Sequence, residues 1–137
     1  MRIEEGKTLG PVVKDITQER INLYAEASGD FNPIHVDEAF AVNTPFGGTI
    51  AHGMLNLAYV SEMMTSVFGR DWLAGGKLRA KFKEVARPGD SLTIDGEVIS
   101  IEEKDGVSYA NCTFQCRNQK GETVVAGETA AKFSGDH

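Results

Sequence analysis

The 137-residue chain predicts an α+β fold in which a curved antiparallel sheet wraps one long buried helix. Two patterns carry that expectation. Residues 52–68 are apolar around most of a helical circumference, the mark of a helix enclosed by the rest of the chain. From Lys77 onward apolar residues recur with period two, in four segments separated by turn residues, the mark of an antiparallel sheet. No internal repeat, low-complexity stretch or long linker divides these patterns, so residues 1–137 are expected to form a single domain.

The elements follow in order. Residues from about Thr8 to Ile16 read as a short entering strand. Thr17 suits the N-cap of a helix through Ala27, with Ile21, Tyr24, Ala25 and Ser28 at helical spacing. Ala27 to Asp37 contains Gly29 and Asn32-Pro33, and so reads as an ordered loop rather than a helix or strand. Pro33 lacks an N–H and pushes Asn32 out of the helical region. Asp37 reads as the cap of a short helix whose apolar side is Ala39, Phe40 and Val42. Asn43 to Gly48 is a loop, and Gly69 ends the long helix. Leu78, Ala80 and Phe82 then alternate with Lys77, Arg79, Lys81 and Lys83. Arg87 to Asp90 is a turn, Leu92 and Ile94 begin the next strand, and Gly96 suggests a bulge or bend. Asp105-Gly106 signals a hairpin. Ala110, Cys112, Phe114 and Cys116 alternate, Asn118 to Gly121 turns, and a last strand runs from about Thr123 to Phe133.

Composition narrows the function classes. Hydrophobic residues at 41% and charged residues at 25% are ordinary for a globular protein. A net charge of −6 argues against wholesale nucleic-acid binding, which rests on basic surface. No window reaches the ~18 apolar residues of a membrane span. The first residues lack the apolar core of a signal peptide, so the expected location is cytoplasmic. Cys112 and Cys116, four apart in a strand, would hold their Cα atoms roughly 13 Å apart. A disulfide needs less than about 7 Å, so both are expected reduced and buried on one face.

Two stretches carry chemistry. Ser28-Gly29-Asp30-Phe31-Asn32-Pro33-Ile34-His35-Val36-Asp37 places a carboxylate and an imidazole on one bent segment, where both could face one water. Gly47-Gly48-Thr49-Ile50-Ala51-His52-Gly53 runs from a glycine-rich loop into the long helix. Together they resemble the MaoC-like family of R-specific enoyl-CoA hydratases of the hotdog fold. That family's pattern is roughly Ser-Gly-Asp-x-Asn-Pro-x-His-x-Asp, followed by a His-Gly pair opening the central helix. Ser28, Gly29, Asp30, Asn32, Pro33, His35, Asp37, His52 and Gly53 fill every one of those positions, and the resemblance covers nearly the whole chain.

The resemblance implies reversible syn addition of water to trans-2-enoyl-CoA, giving (R)-3-hydroxyacyl-CoA, within fatty acid metabolism. Asp30 and His35 would be the acid–base pair, and the Gly53 amide the oxyanion donor at a helix N-terminus. It implies a homodimer, with the acyl tunnel at the interface. No cofactor is expected beyond the coenzyme A of the substrate, and neither a nucleic acid nor a membrane partner. Other readings of the same residues stay open. Asp30 could be a turn residue, His35 a partly buried structural one, and Gly53 a packing glycine. Asn32 could position the water or hold the loop. Ser61, eight residues beyond Gly53, could support the pair or bond a carbonyl one turn back. His52 reads as structural rather than catalytic. Lys77, Arg79, Lys81 and Lys83 share one strand face and could bind coenzyme A phosphates or form a solvated face. Phe40, Phe46 and Tyr59 are tunnel-wall or core candidates. A metal held by Asp30, His35, Asp37 and His52 matches no ligand spacing, and none is expected. The rival functions are an acyl-CoA thioesterase on the same fold and a non-catalytic acyl-CoA-binding module.

Overall fold

The computed structural model describes residues 2–134. It contains five strands: β1 (Thr8–Asp15), β2 (Lys77–Phe82), β3 (Ser91–Lys104), β4 (Val107–Arg117) and β5 (Thr123–Phe133). They form one antiparallel sheet in the order β1-β3-β4-β5-β2. The five helical segments are α1 (Gln18–Ser28), α2 (Pro33–Val36), α3 (Glu38–Ala41), α4 (Gly53–Phe68) and α5 (Arg70–Gly75). α4 packs against β1, β3, β4 and β5, which is the expected helix-in-sheet arrangement.

Local chemistry sets most boundaries. The Thr17 side chain accepts from Arg20 N–H and starts α1, and Asp37 accepts from Phe40 N–H and starts α3. Asp105 and Gly106 both have positive φ, 54° and 78°, as the two-residue turn joining β3 to β4 requires. Asn118 Oδ1 accepts from Lys120 and Glu122 N–H and closes the turn before β5. Gly69 ends α4 with its N–H on Thr65 C=O.

Tertiary context fixes a strand order that the sequence pattern left open and changes three sequence expectations. The four segments after Lys77 are not a simple meander: only β3, β4 and β5 are, while β2 crosses to the far side of β5. The cause is α5, a one-and-a-half-turn helix that packs on β5 and returns the chain to that edge. Pro33 starts a helical turn instead of preventing one, because a proline at the first helical position forfeits an N–H that is unpaired anyway. Phe40 and Val42 do not supply a buried side to α3; both are about half exposed, and only Ala41 is buried there. Gly96 stays in register with Leu9 and Phe114, and the irregularities fall at residues 10–11 of β1 and at Ile99 of β3. A Cβ on Gly96 would lie 2.4 Å from Thr113 C=O, so the glycine permits close strand approach beside the β1 bulge.

The core joins Val60, Met63, Met64 and Phe68 of α4 to Leu92, Ile94, Val98, Cys112, Cys116 and Val125 of the sheet. Both cysteines are free and buried. Burial pushes the Cys112 thiol up to about 11 and the Cys116 thiol up to about 12. α4 is not fully enclosed: Met54, Ala58, Glu62 and Ser66 remain exposed. No helix among the described residues is long and apolar enough to cross a membrane.

Candidate active site

Asp30 lies just beyond α1, where Gly29 (φ 78°) caps the helix and turns the chain. Three hydrogen bonds fix it, two of them local. Its N–H donates to Ser28 Oγ at 3.2 Å, and Oδ1 accepts from Asn32 N–H at 3.2 Å. Its carbonyl faces His52 Nε2 at 3.0 Å. Oδ1 is thereby occupied in an Asx turn, in which Oδ2 takes no part. The residue is exposed, so its carboxylate can meet a substrate without the chain moving.

His35 sits in α2, and that turn exists because Asn32 and Pro33 start it. Asn32 is extended (φ −52°, ψ 129°), and its Oδ1 accepts from Ile34 N–H. His35 Nδ1 lies 2.8 Å from Ile50 C=O. A carbonyl only accepts, so Nδ1 carries the proton and Nε2 is the nitrogen free to exchange one. His52 completes the cluster. It is 2% exposed, stacks on His35 with ring centroids 3.9 Å apart, and meets Tyr24 at 4.9 Å. One carboxylate oxygen of Asp30 and one ring nitrogen from each histidine lie within 4.8 Å of one another. An ion shared by both rings would have to lie in both ring planes. Stacking prevents that unless one ring rotates out of its carbonyl hydrogen bond. Asp37 is occupied as the α3 cap.

Gly53 follows His52 directly and opens α4. Its N–H belongs to the first-turn donors that a helix leaves unpaired, with the positive end of the helix dipole behind it. The glycine has a packing reason as well. A Cβ there would approach the Phe82 ring to 3.1 Å. Phe82, expected inside, is about half exposed at the end of β2 and lies over the start of α4.

The structure therefore brings Asp30, Asn32, His35 and Gly53 together and engages Ser61 with Trp72. Eight residues along a helix is about 12 Å, and Ser61 Oγ accepts from Trp72 Nε1–H at 2.8 Å, tying α5 to α4. Asn32 acts in this geometry as the cap of α2. Tyr59 is buried, with Lys14 Nζ 5.5 Å from its ring centre, while Phe40 and Phe46 are exposed. Lys77, Arg79 and Lys81 share the outward face of β2; Lys83 lies one residue past its end, its N–H on Val124 C=O. Arg79, Lys81 and Lys83 line a shallow groove of about 300 Å³, and Lys83 also borders a second of about 280 Å³ with Phe46, Phe82 and Arg87.

Sequence reasoning missed Gln18 and Thr49. Gln18 Nε2 donates to His35 C=O at 2.8 Å, and Gln18 Oε1 accepts from Thr49 Oγ1 at 2.6 Å. Thr49 is buried, and its N–H also reaches Glu38 Oε2 at 3.3 Å. The pair fastens the acid–base segment to the loop before α4. A glutamine at the first position of a helix carries no signal of such a role. The Gly-Gly-Thr run before a buried helix was the one available hint.

Comparison with known proteins agrees with this geometry. Residues 4–115 match the model of the MaoC-like domain. The chain is 33% identical over 128 residues to an (R)-specific enoyl-CoA hydratase of Rhodospirillum rubrum, covering 92% of this chain and 85% of that protein. It is 31% identical over 123 residues to a 3-hydroxybutyryl-CoA dehydratase of Methylorubrum extorquens, covering 87% and 74%. Among solved structures, an unliganded R-hydratase from Pseudomonas aeruginosa superposes with a TM-score of 0.84 at 29% identity, covering 98% of this chain and 84% of that one.

Proposed function

The chain belongs to the MaoC-like domain family, and from that premise we propose that it is an (R)-specific enoyl-CoA hydratase that also runs the reverse dehydration of 3-hydroxyacyl-CoA. The observation that carries this reading is the clustering of the Asp30 carboxylate and the His35 ring beside the N-terminus of α4. The thioester carbonyl would accept from Gly53 N–H, drawing electrons from the double bond and making the β-carbon electrophilic. As negative charge grows on that oxygen, one such donor contributes about 3–4 kcal/mol. Asp30 Oδ2 and His35 Nε2 would hold one water between them. One group takes a proton from the water as its oxygen bonds the β-carbon. The other gives a proton to the α-carbon as the enolate collapses. Both lie on one segment and so reach one face of the substrate, which makes the addition syn. The pair exchanges protons as a unit.

The substrate's anionic end has a matching surface. Lys83 and Arg87 flank the groove next to Phe82, and Arg79 and Lys81 continue it along β2. These side chains would meet the phosphates of coenzyme A. No further cofactor enters the proposed chemistry. β2 is an edge strand whose outer backbone groups have no neighbouring strand among the described residues. With Phe82 and Met54 exposed beside it, that edge supports a homodimer that would place two sites along its seam. Two free buried thiols fit the reducing cytoplasm, the compartment we assign.

Hydration of crotonyl-CoA, followed by loss of enoyl absorbance, tests the reading with wild type and Asp30→Asn side by side. Rapid loss that disappears in the folded variant is expected. Release of free coenzyme A thiol without hydration would move the assignment to a thioesterase. Binding of acyl-CoA with neither reaction would move it to a binding module.

A further inference from the structure

His52 occupies the N-cap of α4, a place normally taken by a short oxygen-bearing side chain, yet it makes no capping bond. Its ring turns instead toward the acid–base segment. Three contacts meet on it: Asp30 C=O at Nε2, the His35 ring on its face, and Tyr24 beside it. Gly53, the oxyanion donor in the proposed reaction, is the next residue along the chain. One buried imidazole therefore touches or adjoins every group the reaction uses. Because Asp30 C=O can only accept, Nε2 of His52 carries the proton. Nδ1 is buried and has no hydrogen-bond partner among the described residues. This is the opposite tautomer to that of His35, whose proton is on Nδ1, facing Ile50 C=O.

We propose that His52 is a positioning residue that sets the register between the Asp30–His35 pair and the Gly53 amide, through its Nε2–H bond to Asp30 and its stack on His35. The proposal rests on the hydratase reading, since it names the residue that aligns that same site. Asp30 has no buried apolar anchor and is exposed. Of the bonds that fix it, those from Ser28 and Asn32 are local, and only the His52 bond ties it to another element. Loss of that bond lets the carboxylate drift relative to the amide. A misplacement of about 1 Å costs on the order of 10²-fold in rate. Substrate binding through the grooves along β2 is left as it was.

The test has two arms. Crotonyl-CoA hydration is measured for wild type, His52→Phe, which keeps the stack but has no donor, and His52→Gln, which keeps a donor. His52→Phe is expected to lose kcat by ~10²-fold with KM within about twofold. His52→Gln is expected to recover most of that kcat. A His52→Phe enzyme with wild-type kcat, a loss confined to KM, or a His52→Gln enzyme no better than His52→Phe overturns the proposal. The second arm needs no variant: nitrogen NMR of ¹⁵N-histidine-labelled wild type reads both tautomers. The proton is expected on Nε2 of His52 and on Nδ1 of His35, and any other assignment for His52 overturns the proposal. If the wild type does not hydrate enoyl-CoA, the hydratase reading fails first. The NMR arm still decides whether His52 holds the Asp30 carbonyl.

Discussion

α4 buries Val60, Met63, Met64 and Phe68 completely, whereas the segment from Ser28 to Val36 buries no residue. Both regions hold candidate catalytic groups within a few ångströms of one another. The helix is placed by apolar area, which is non-directional and cumulative. The segment is placed by directed hydrogen bonds: Ser28 and Asn32 locally, and His52, Ile50 and Gln18 from elsewhere. A site built this way keeps its reactive atoms accessible while its donor amide rests on the rigid part of the molecule. The comparison also says where each kind of damage should appear. Changes in the segment should alter turnover and leave stability nearly intact. Changes in the helix core should do the reverse.

Asp30→Asn gives the largest separation of the two. The amide keeps the turn bond to Asn32 N–H but cannot exchange a proton. Turnover should fall by ~10²–10⁴-fold, the usual contribution of a positioned acid or base. The melting temperature should stay within a few degrees, because the residue is exposed. Hydration kinetics beside a thermal melt checks this. A collapse of stability equal to the loss of activity would show that the segment is part of the core after all.

Met63→Ala is the mirror experiment. Met63 is fully buried, and a methionine-to-alanine change in such a site costs ~2–5 kcal/mol. Urea unfolding should show that loss, while turnover per folded molecule stays within a few-fold of wild type. A drop of ~10²-fold in folded Met63→Ala would mean that α4 transmits core strain to the Gly53 amide.

The sequence made the two regions legible to different degrees. α4 was visible because its apolar residues leave little of the circumference polar, and Gly69 marks its end. The hairpin turn at Asp105-Gly106 was visible because positive φ at both positions demands those residue types. Asp30, His35 and Gly53 were found by their motif, and the structure brings them together. What escaped was non-local. The crossing of β2 to the far side of β5 depends on where α5 delivers the chain, and no period in residues 77–133 encodes it. Gln18 acts on His35 C=O from seventeen residues away, so no local pattern points to it. Ser61 looked close to the site in sequence terms but pairs with Trp72, because α5 folds back over that part of α4.

The cysteines sharpen the comparison from the core side. Burial raises both thiols, from 9.0 to about 11 for Cys112 and about 12 for Cys116. In the unfolded chain they ionise near 9, so above that pH the folded state binds more protons than the unfolded one. Stability should therefore be unaffected by these thiols below pH 9 and fall as pH rises toward 11 and 12. Urea midpoints measured between pH 8 and 10.5 should decline less steeply in a Cys112→Ala, Cys116→Ala double variant. An equal decline would mean that the thiols are open to solvent and that the sheet face against α4 is less closed than the structure shows.

Gln18→Ala has the smallest expected effect and tests the segment most directly. The side chain spans His35 C=O and Thr49 Oγ1 and also donates to Asn22 Oδ1, so its removal deletes three hydrogen bonds, the last of them exposed, without opening an apolar cavity. A net hydrogen bond is worth ~1 kcal/mol, and Thr49 Oγ1 is buried where water reaches it poorly. The global stability should drop by about 1–2 kcal/mol. The more telling quantity is local. Ile34, His35 and Val36 are held by this bond and by the Ile50 carbonyl, so their amides should exchange with solvent faster in the variant, while the amides of α4 exchange at wild-type rates. Turnover should fall several-fold, since His35 keeps its ring contacts to Ile50 and His52. If exchange instead rose uniformly across α4 and the segment, the two regions would be opening as one unit. The division between a core held by area and a site held by directed bonds would then have to be given up.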